Sequence, residues 1–490
     1  MTLLAALLLP AWIGVAVAGA CGAFARSVSA SGRVLGAIVA LPVGLGLTSA
    51  LAFAWMAAMR QRVGTAGEVG LELLLAALVS IAWWARRGRH GGPQAASPST
   101  PRPAPLLVGL GSLALATGLW RLFRDWMVVT WRQPLGGWDA VAIWNLKARF
   151  LASAEGWSRA FSSEIAWSHP DYPLLLPAFF ARTWIWLGDR SWVVPAATGL
   201  AFLLLAVALA TVSVYRLRGP VPALVAGVLV CGVAHTSLRF HQYADMPLAF
   251  WFLAVNVLLL ENAVRPRQRG TLVFAGLAAG AMVWTKNEGW AMLLALLASE
   301  AITAWRDRLP AGELRARALA FGAGLAPLAA TTVVFKLTLA PTNDLVEGVA
   351  WGGLADAGRL ATIASRLASD VLSFGPFRVS LAVLVAGLVL VMGAAVPPAL
   401  RSAAFSLALR LAGVMAAYGF TFAVTPRPLE WHLATTVERL LSHLFPSAVL
   451  LATLAMGPIG DPALQPPGEP PHRQADDGGA GERRPGAGVR

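Results

Sequence analysis

The sequence predicts an all-α polytopic membrane protein, and three observations carry that prediction. Apolar residues make up 57% of the chain against 13% charged, the mean hydropathy is +0.64, and no stretch between apolar runs is long enough for a soluble domain. The hydrocarbon core offers the backbone no hydrogen-bonding partner, so each run must be a helix of about 20 residues. A net charge of +14 could point to nucleic acid, but here Lys and Arg are scattered through short loops, and no nucleic-acid partner is expected. Cys21 and Cys231 lie inside apolar runs, which reads against a disulfide framework or a thiolate metal site.

The runs are 3–24, 34–59, 69–85, 105–131, 193–215, 221–238, 246–263, 271–285, 290–305, 318–340, 375–397, 403–424 and 444–460, which makes about thirteen crossings. The first lacks a basic leader and is followed at once by more spans, so it is read as a retained helix. Residues 1–104 form N-terminal membrane helices with a basic cytoplasmic loop, 105–460 the main membrane module, and 461–490 a Pro- and Gly-rich tail expected to be disordered and cytoplasmic. Orientation follows the basic loops. Arg86, Arg87, Arg89 and Arg102, then Arg265, Arg267 and Arg269, then Arg306, Arg308, Arg315 and Arg317 are placed inside. The segments 132–171 and 341–372, with Asp139, Glu155, Glu164, Asp171, Asp344, Glu347, Asp356 and Asp370, are placed outside. Residues 172–188 are apolar, but Pro173, Pro177 and Arg182 argue for a re-entrant or interfacial helix instead of a crossing.

The outer side then collects the polar candidates. In 136–151, Val141, Trp144, Ala148 and Leu151 recur at helical spacing, predicting an amphipathic surface helix with Asn145 and Arg149 on its wetter side and Asp139 at its start. His169 and Asp171 precede the suspected re-entrant helix, Asp245 precedes a helix with Pro247 in its first turn, and Lys286 and Glu288 sit in a turn between two runs. Glu430, His432, Glu438 and Arg439 precede or border the last run, and Lys336 lies toward the outer end of its helix. Each has a plain alternative: a helix cap for Asp139, a turn for Asp171, a helix start for Asp245, and snorkelling for Lys286. Glu72, Arg121, Arg124, Asp125 and Arg410 are further ionisable residues in or near apolar runs, where such groups face a cavity or a partner.

Together these residue types fit a reaction in which a carboxylate takes a proton from a hydroxyl while cations stabilise a leaving phosphate. Asp139 and Asp245 are the catalytic candidates. Lys286, Arg439 and Lys336 are the phosphate-binding candidates, and His169, Asp171, Glu288 and His432 support them. A divalent metal ion, if one takes part, would be held by Asp139 and Asp245. There is no Walker loop and no dinucleotide-binding glycine pattern, so a substrate delivered in the membrane plane is favoured over a soluble nucleotide.

The order of these features resembles the membrane-embedded GT-C glycosyltransferases, in particular the branch with bacterial aminoarabinose transferases and protein O-mannosyltransferases. The likeness covers about residues 105–300. Asp139 in GGWDAVAIWNLKARF matches their catalytic Asp in the first large outer loop, Asp245 in YADMPLAF a second acidic residue, and Lys286 in WTKNEG the lysine on the carrier phosphate. The resemblance implies a GT-C-like fold with surface helices in the first outer loop. It also implies a glycosyltransferase acting at the outer face of a bacterial cytoplasmic membrane. Its donor would be a polyprenyl-phosphate-linked sugar, its environment membrane lipid, and its acceptor a glycan, lipid or protein. The chain departs from those enzymes in carrying Asp171-Tyr172-Pro173 where they carry Lys-Pro-Pro, and in three spans before the core. The competing readings are a secondary transporter or lipid-linked-sugar flippase, a polysaccharide polymerase or ligase, and a structural membrane subunit.

Overall fold

The computed structural model describes residues 2–25, 28–86, 105–232, 240–264, 268–343 and 347–457, and among them every regular element is helical. The helices are α1 Thr2–Ala20, α2 Ala30–Met59, α3 Ala66–Arg86, α4 Pro105–Arg132, α5 Asn145–Leu151, α6 Leu175–Leu187, α7 Val193–Arg218 and α8 Pro220–Gly232. They continue with α9 Asp245–Val264, α10 Arg269–Thr285, α11 Glu288–Arg306, α12 Ala311–Thr338, α13 Ala357–Ser373, α14 Leu381–Met392, α15 Arg401–Val424 and α16 Leu429–Ala455. Eight of the described helices (α2, α3, α4, α7, α9, α12, α15 and α16) are long and apolar enough to cross a membrane. The chain is thus a multi-pass helical membrane protein. The other five of the expected runs form α1, α8, α10, α11 and α14, which are shorter or more polar among the described residues; the end of the run 221–238, beyond Gly232, lies outside them. Most of the basic loop 86–104, Arg265, Arg267, Asp344 and the tail 461–490 lie outside the described residues.

Two runs differ from expectation. The run 375–397 yields only the 12-residue α14, preceded by Pro376 and ended at Gly393, whose φ is +72°. The run 444–460 belongs to α16, which begins much earlier at Leu429. Leu433, Val437, Leu440 and Leu444 are buried at helical spacing there, so polar residues between them ride on a continuous helix.

Particular helix ends gather at each end of the molecule. The start of α9, the ends of α4, α10 and α12, and the start of α11 meet at one end of the molecule, while Arg216 near the end of α7 pairs with Glu261 near the end of α9 at the other. Arg218 likewise donates to the Met456 carbonyl beyond α16. Close approach of α10 and α12 needs glycine, because a Cβ on Gly324 would lie 1.8 Å from the Val273 carbonyl oxygen.

Helix α6, the suspected re-entrant segment, is 13 residues long, which at 1.5 Å per residue is about 20 Å and short of a bilayer core. Its residues from Leu175 to Trp184 are buried, so it is tucked among helices instead of lying on a surface. Asp171 before it touches α12 and the α10–α11 turn, and Ala196 just after it in α7 accepts from Trp126 at 3.2 Å near the end of α4. Both ends of α6 therefore sit on the same side of the bundle. Arg182, which made a crossing doubtful, forms a two-pronged ion pair with Glu72 of α3 and donates to the Ala6 carbonyl.

Candidate active site

The loop after α4 is carried to the start of α9 by backbone contacts. Gly136 has φ +80° and a Cβ there would meet the His241 carbonyl oxygen at 2.6 Å, so only glycine permits the approach. The Gly137 amide donates to that carbonyl at 3.0 Å. Gln242 is buried, donates to the Pro134 carbonyl at 2.9 Å and accepts from Asn145 at 3.1 Å. These stitches set Asp139 opposite Asp245.

The segment that follows keeps part of the pattern the spacing predicts, with Trp144, Ala148 and Leu151 buried, and departs from it at Val141 and Asn145. Residues Ala140–Trp144 are π-helical before α5 begins, and this wider turn rotates the faces. Val141 is consequently exposed, Asn145 is buried, Lys147 is completely buried, and only Arg149 keeps its expected exposed position. Asp139 makes no capping hydrogen bond to this segment.

Four elements converge on Asp245. Its Oδ1 accepts from His443 Nε2 at 2.7 Å and Lys286 Nζ at 3.2 Å, and its Oδ2 accepts from Arg439 Nη2 at 3.0 Å. The same Arg439 Nη2 donates to Asp139 Oδ2 at 2.6 Å. Arg439 and His443 are four residues apart on α16 and so share a face. The Arg439 guanidinium lies 5.1 Å from the Tyr243 ring centroid, within cation–π range. Tyr418 of α15 lies 3.2 Å from His443 Nδ1. Lys286 does not snorkel: it is 4% exposed and also pairs with Glu288 at 2.7 Å. Burial alone would lower its pKa, but the Asp245 and Glu288 carboxylates hold it above the usual lysine value.

Asp171 organises a second, adjoining cluster. Its Oδ2 accepts from Asn343 at 2.7 Å, Asn287 at 2.8 Å and Lys336 at 3.1 Å. Burial opposes the charge on Asp171, yet Lys336 and the two amides keep its carboxyl below the ordinary value. Lys147 donates to the carbonyls of His169 and Tyr172, and the His169 ring stacks on Tyr172 at 4.9 Å. Burial pushes the Lys147 pKa down to about 7, against the pull of Asp171. Asn287 links the clusters, because its chain neighbour Lys286 pairs with Asp245.

Of the sequence candidates, Asp139, Asp245, Lys286, Glu288 and Arg439 come together, with Asp171, Lys336 and His169 in the adjoining cluster. Lys336 holds Asp171 and is not on the Asp245 cluster. His432 is not brought in: its Nδ1 lies 3.0 Å from Thr425 Oγ1 and its ring packs on Phe422, two turns before Arg439. Sequence reasoning missed His443, Tyr418, Gln242 and Lys147. A signal for His443 existed, its four-residue offset from Arg439; for the other three there was none.

The possible metal between Asp139 and Asp245 does not fit this arrangement. The Arg439 nitrogen that bridges the two carboxylates stands where the ion would be, and both oxygens of Asp245 already accept hydrogen bonds. Among the described residues no group of three or more His, Cys, Asp or Glu side chains could hold a metal ion. An apolar crevice of about 650 Å3 lies between α1, α2, α6 and α7, lined by residues such as Leu41, Leu45, Phe179, Val194 and Phe202. None of the polar-cluster residues lines it.

The fold and site thus define a multi-pass helical membrane protein with a buried, charge-rich cluster at one end of its helices. No family model matches the chain, and no curated protein or solved structure matches it.

Proposed function

We propose that this chain is a GT-C-type glycosyltransferase that moves a hexosyl or pentosyl unit from a polyprenyl-phosphate-linked donor to a hydroxyl-bearing acceptor. The reaction is placed at the outer face of a bacterial cytoplasmic membrane. The observation that carries the reading is the meeting of Asp139, Asp245, Lys286 and Arg439 from four separate segments, Asp139 and Arg439 being 300 residues apart. Such a cluster of ionised groups is expensive beside lipid and needs a reason.

In the proposed step, the Asp139 carboxylate takes the proton of the acceptor hydroxyl while that oxygen bonds to the anomeric carbon. The bond from the anomeric carbon to the phosphate oxygen breaks, and its electron pair leaves with the polyprenyl phosphate. Arg439 and Lys286 stabilise that charge. Asp245, held by His443, Lys286 and Arg439, orients the cations and transfers no proton. Single displacement inverts the anomeric centre.

The outward orientation is supported by the helix ends opposite the cluster, which carry Arg86, Arg216, Arg218, Arg306 and Arg308, as positive-inside topology requires. The apolar crevice beside α6 offers room for hydrocarbon. The acceptor is a glycan, a lipid or a protein.

One observation favours a second reading, a secondary transporter or lipid-linked-sugar flippase. Arg410 donates to Asn256 at 2.7 Å and pairs with Glu300, and Asn256 donates to Ser447 at 3.0 Å, so a polar chain runs within the helices. Membranes carrying wild type or Asp139→Asn, supplied with radiolabelled polyprenyl-phosphate sugars, decide between them. Label moving to an acceptor only in wild type supports transfer. Label that changes leaflet without changing molecule, or that moves equally in both, sinks it.

A further inference from the structure

Arg439 holds two carboxylates with one nitrogen, and it does not hold them equally. Asp245 is buried and also receives His443 and Lys286, whereas among the described residues the Asp139 carboxylate has Arg439 as its side-chain donor and no other. Setting His443 aside, three carboxylates, Asp139, Asp245 and Glu288, face two cations, Lys286 and Arg439. A phosphate arriving there meets an excess of negative charge, which is the wrong sign for binding it.

It can be accommodated if it takes the place of one carboxylate on Arg439. Asp245 would keep two other donors after the exchange and is fixed in the packed start of α9, so losing it gains no access. Asp139, on the partly open loop, is the one that can move aside. Arg439 also has a donor in reserve: its Nε is buried without a hydrogen-bond partner. A phosphate accepting from Nε and Nη2 together would use the planar fork that makes arginine a phosphate ligand.

Resting on the transferase reading above, we infer that the donor's phosphate displaces Asp139 from Arg439, so that the base is released only when the donor is in place. Asp139 is then a gate as well as a base. Before the donor binds, its Oδ2 is held by the guanidinium. Afterwards it is free to accept the acceptor's proton, and the order of binding is donor first.

The test is equilibrium binding of a polyprenyl phosphate without sugar to purified wild type, Asp139→Asn, Asp139→Ala and Arg439→Met in detergent. Removing the competing charge should tighten binding in both Asp139 variants by about tenfold, the value of one charge-assisted hydrogen bond. Arg439→Met should bind more weakly than wild type. Asp139 variants that bind no tighter than wild type would overturn the displacement, even where those variants have lost transfer and the transferase reading stands. If no form binds the polyprenyl phosphate, the donor assignment falls and the displacement falls with it.

Discussion

Two arginines in this chain sit against carboxylates, and they differ in how completely they are satisfied. Arg182 is fully buried, and each of its three guanidinium nitrogens has an acceptor, two on Glu72 and one on the Ala6 carbonyl. Arg439 retains 20% side-chain exposure, splits one nitrogen between Asp139 and Asp245, and leaves Nε unpartnered. A closed pair of the first kind joins α6 to α3 and leaves no guanidinium nitrogen without an acceptor. An open one of the second kind keeps a donor in reserve where the bundle meets the loop after α4. Ionisable residues beside apolar runs look alike on paper; what separates the two here is whether the chain itself gives each guanidinium nitrogen an acceptor.

The largest effect that could break this comparison is on transfer. Asp139→Asn should lower turnover by roughly 10²–10⁴-fold, the usual worth of a positioned acid or base, with unchanged thermal unfolding. A variant that turns over normally removes Asp139 from the chemistry. Next comes stability: Arg182→Met leaves Glu72 charged and buried and should cost about 3–5 kcal/mol, seen as a fall in Tm in detergent. Arg439→Met should shift Tm far less while abolishing transfer. Equal losses of Tm in the two variants would erase the distinction between the two arginines.

A smaller contrast lies along α16. His443→Gln loses the hydrogen bond to Asp245 and should reduce turnover about tenfold, whereas His432→Gln, about three turns away, should leave it within twofold of wild type, about 0.4 kcal/mol. Equal effects in a side-by-side assay would mean that the cluster extends to Thr425. The smallest prediction concerns Lys147. Its pKa falls to about 7 in the folded chain against 10.5 ordinarily, so between those values the unfolded chain binds the extra proton. Stability should therefore rise as pH increases through that window and be flat below it. Tm measured from pH 6 to 10 should show a rise that Lys147→Met lacks. A Tm profile identical in the two would place Lys147 in contact with solvent.

Much of the site was legible in residue type. A carboxylate after Gly136-Gly137, an aspartate opening a helix before Pro247 and a lysine in a turn between two apolar runs each stood out against lipid-compatible surroundings. What was not legible was register. Where the chain is π-helical at Ala140–Trp144, Val141 turns outward and Asn145 inward, while Trp144, Ala148 and Leu151 stay buried and Arg149 exposed as the spacing predicts. Hydropathy averaging likewise began the last run at 444, since Glu438, Arg439 and His443 dilute the apolar signal although they lie on a helix that begins at Leu429.

By itself the sequence determined the solvent of this protein, the helical nature of its elements and which ionisable residues stand out as candidates for a site. Composition and run length are local properties, and the bilayer's demand for satisfied backbone turns them directly into helices. Only the tertiary structure decided which charges meet. Arg182 was claimed by Glu72, Lys336 by Asp171, and Arg439 by two aspartates at once. Ion pairing between helices depends on their relative rotation and depth, and these are set by packing over hundreds of residues that no local pattern encodes.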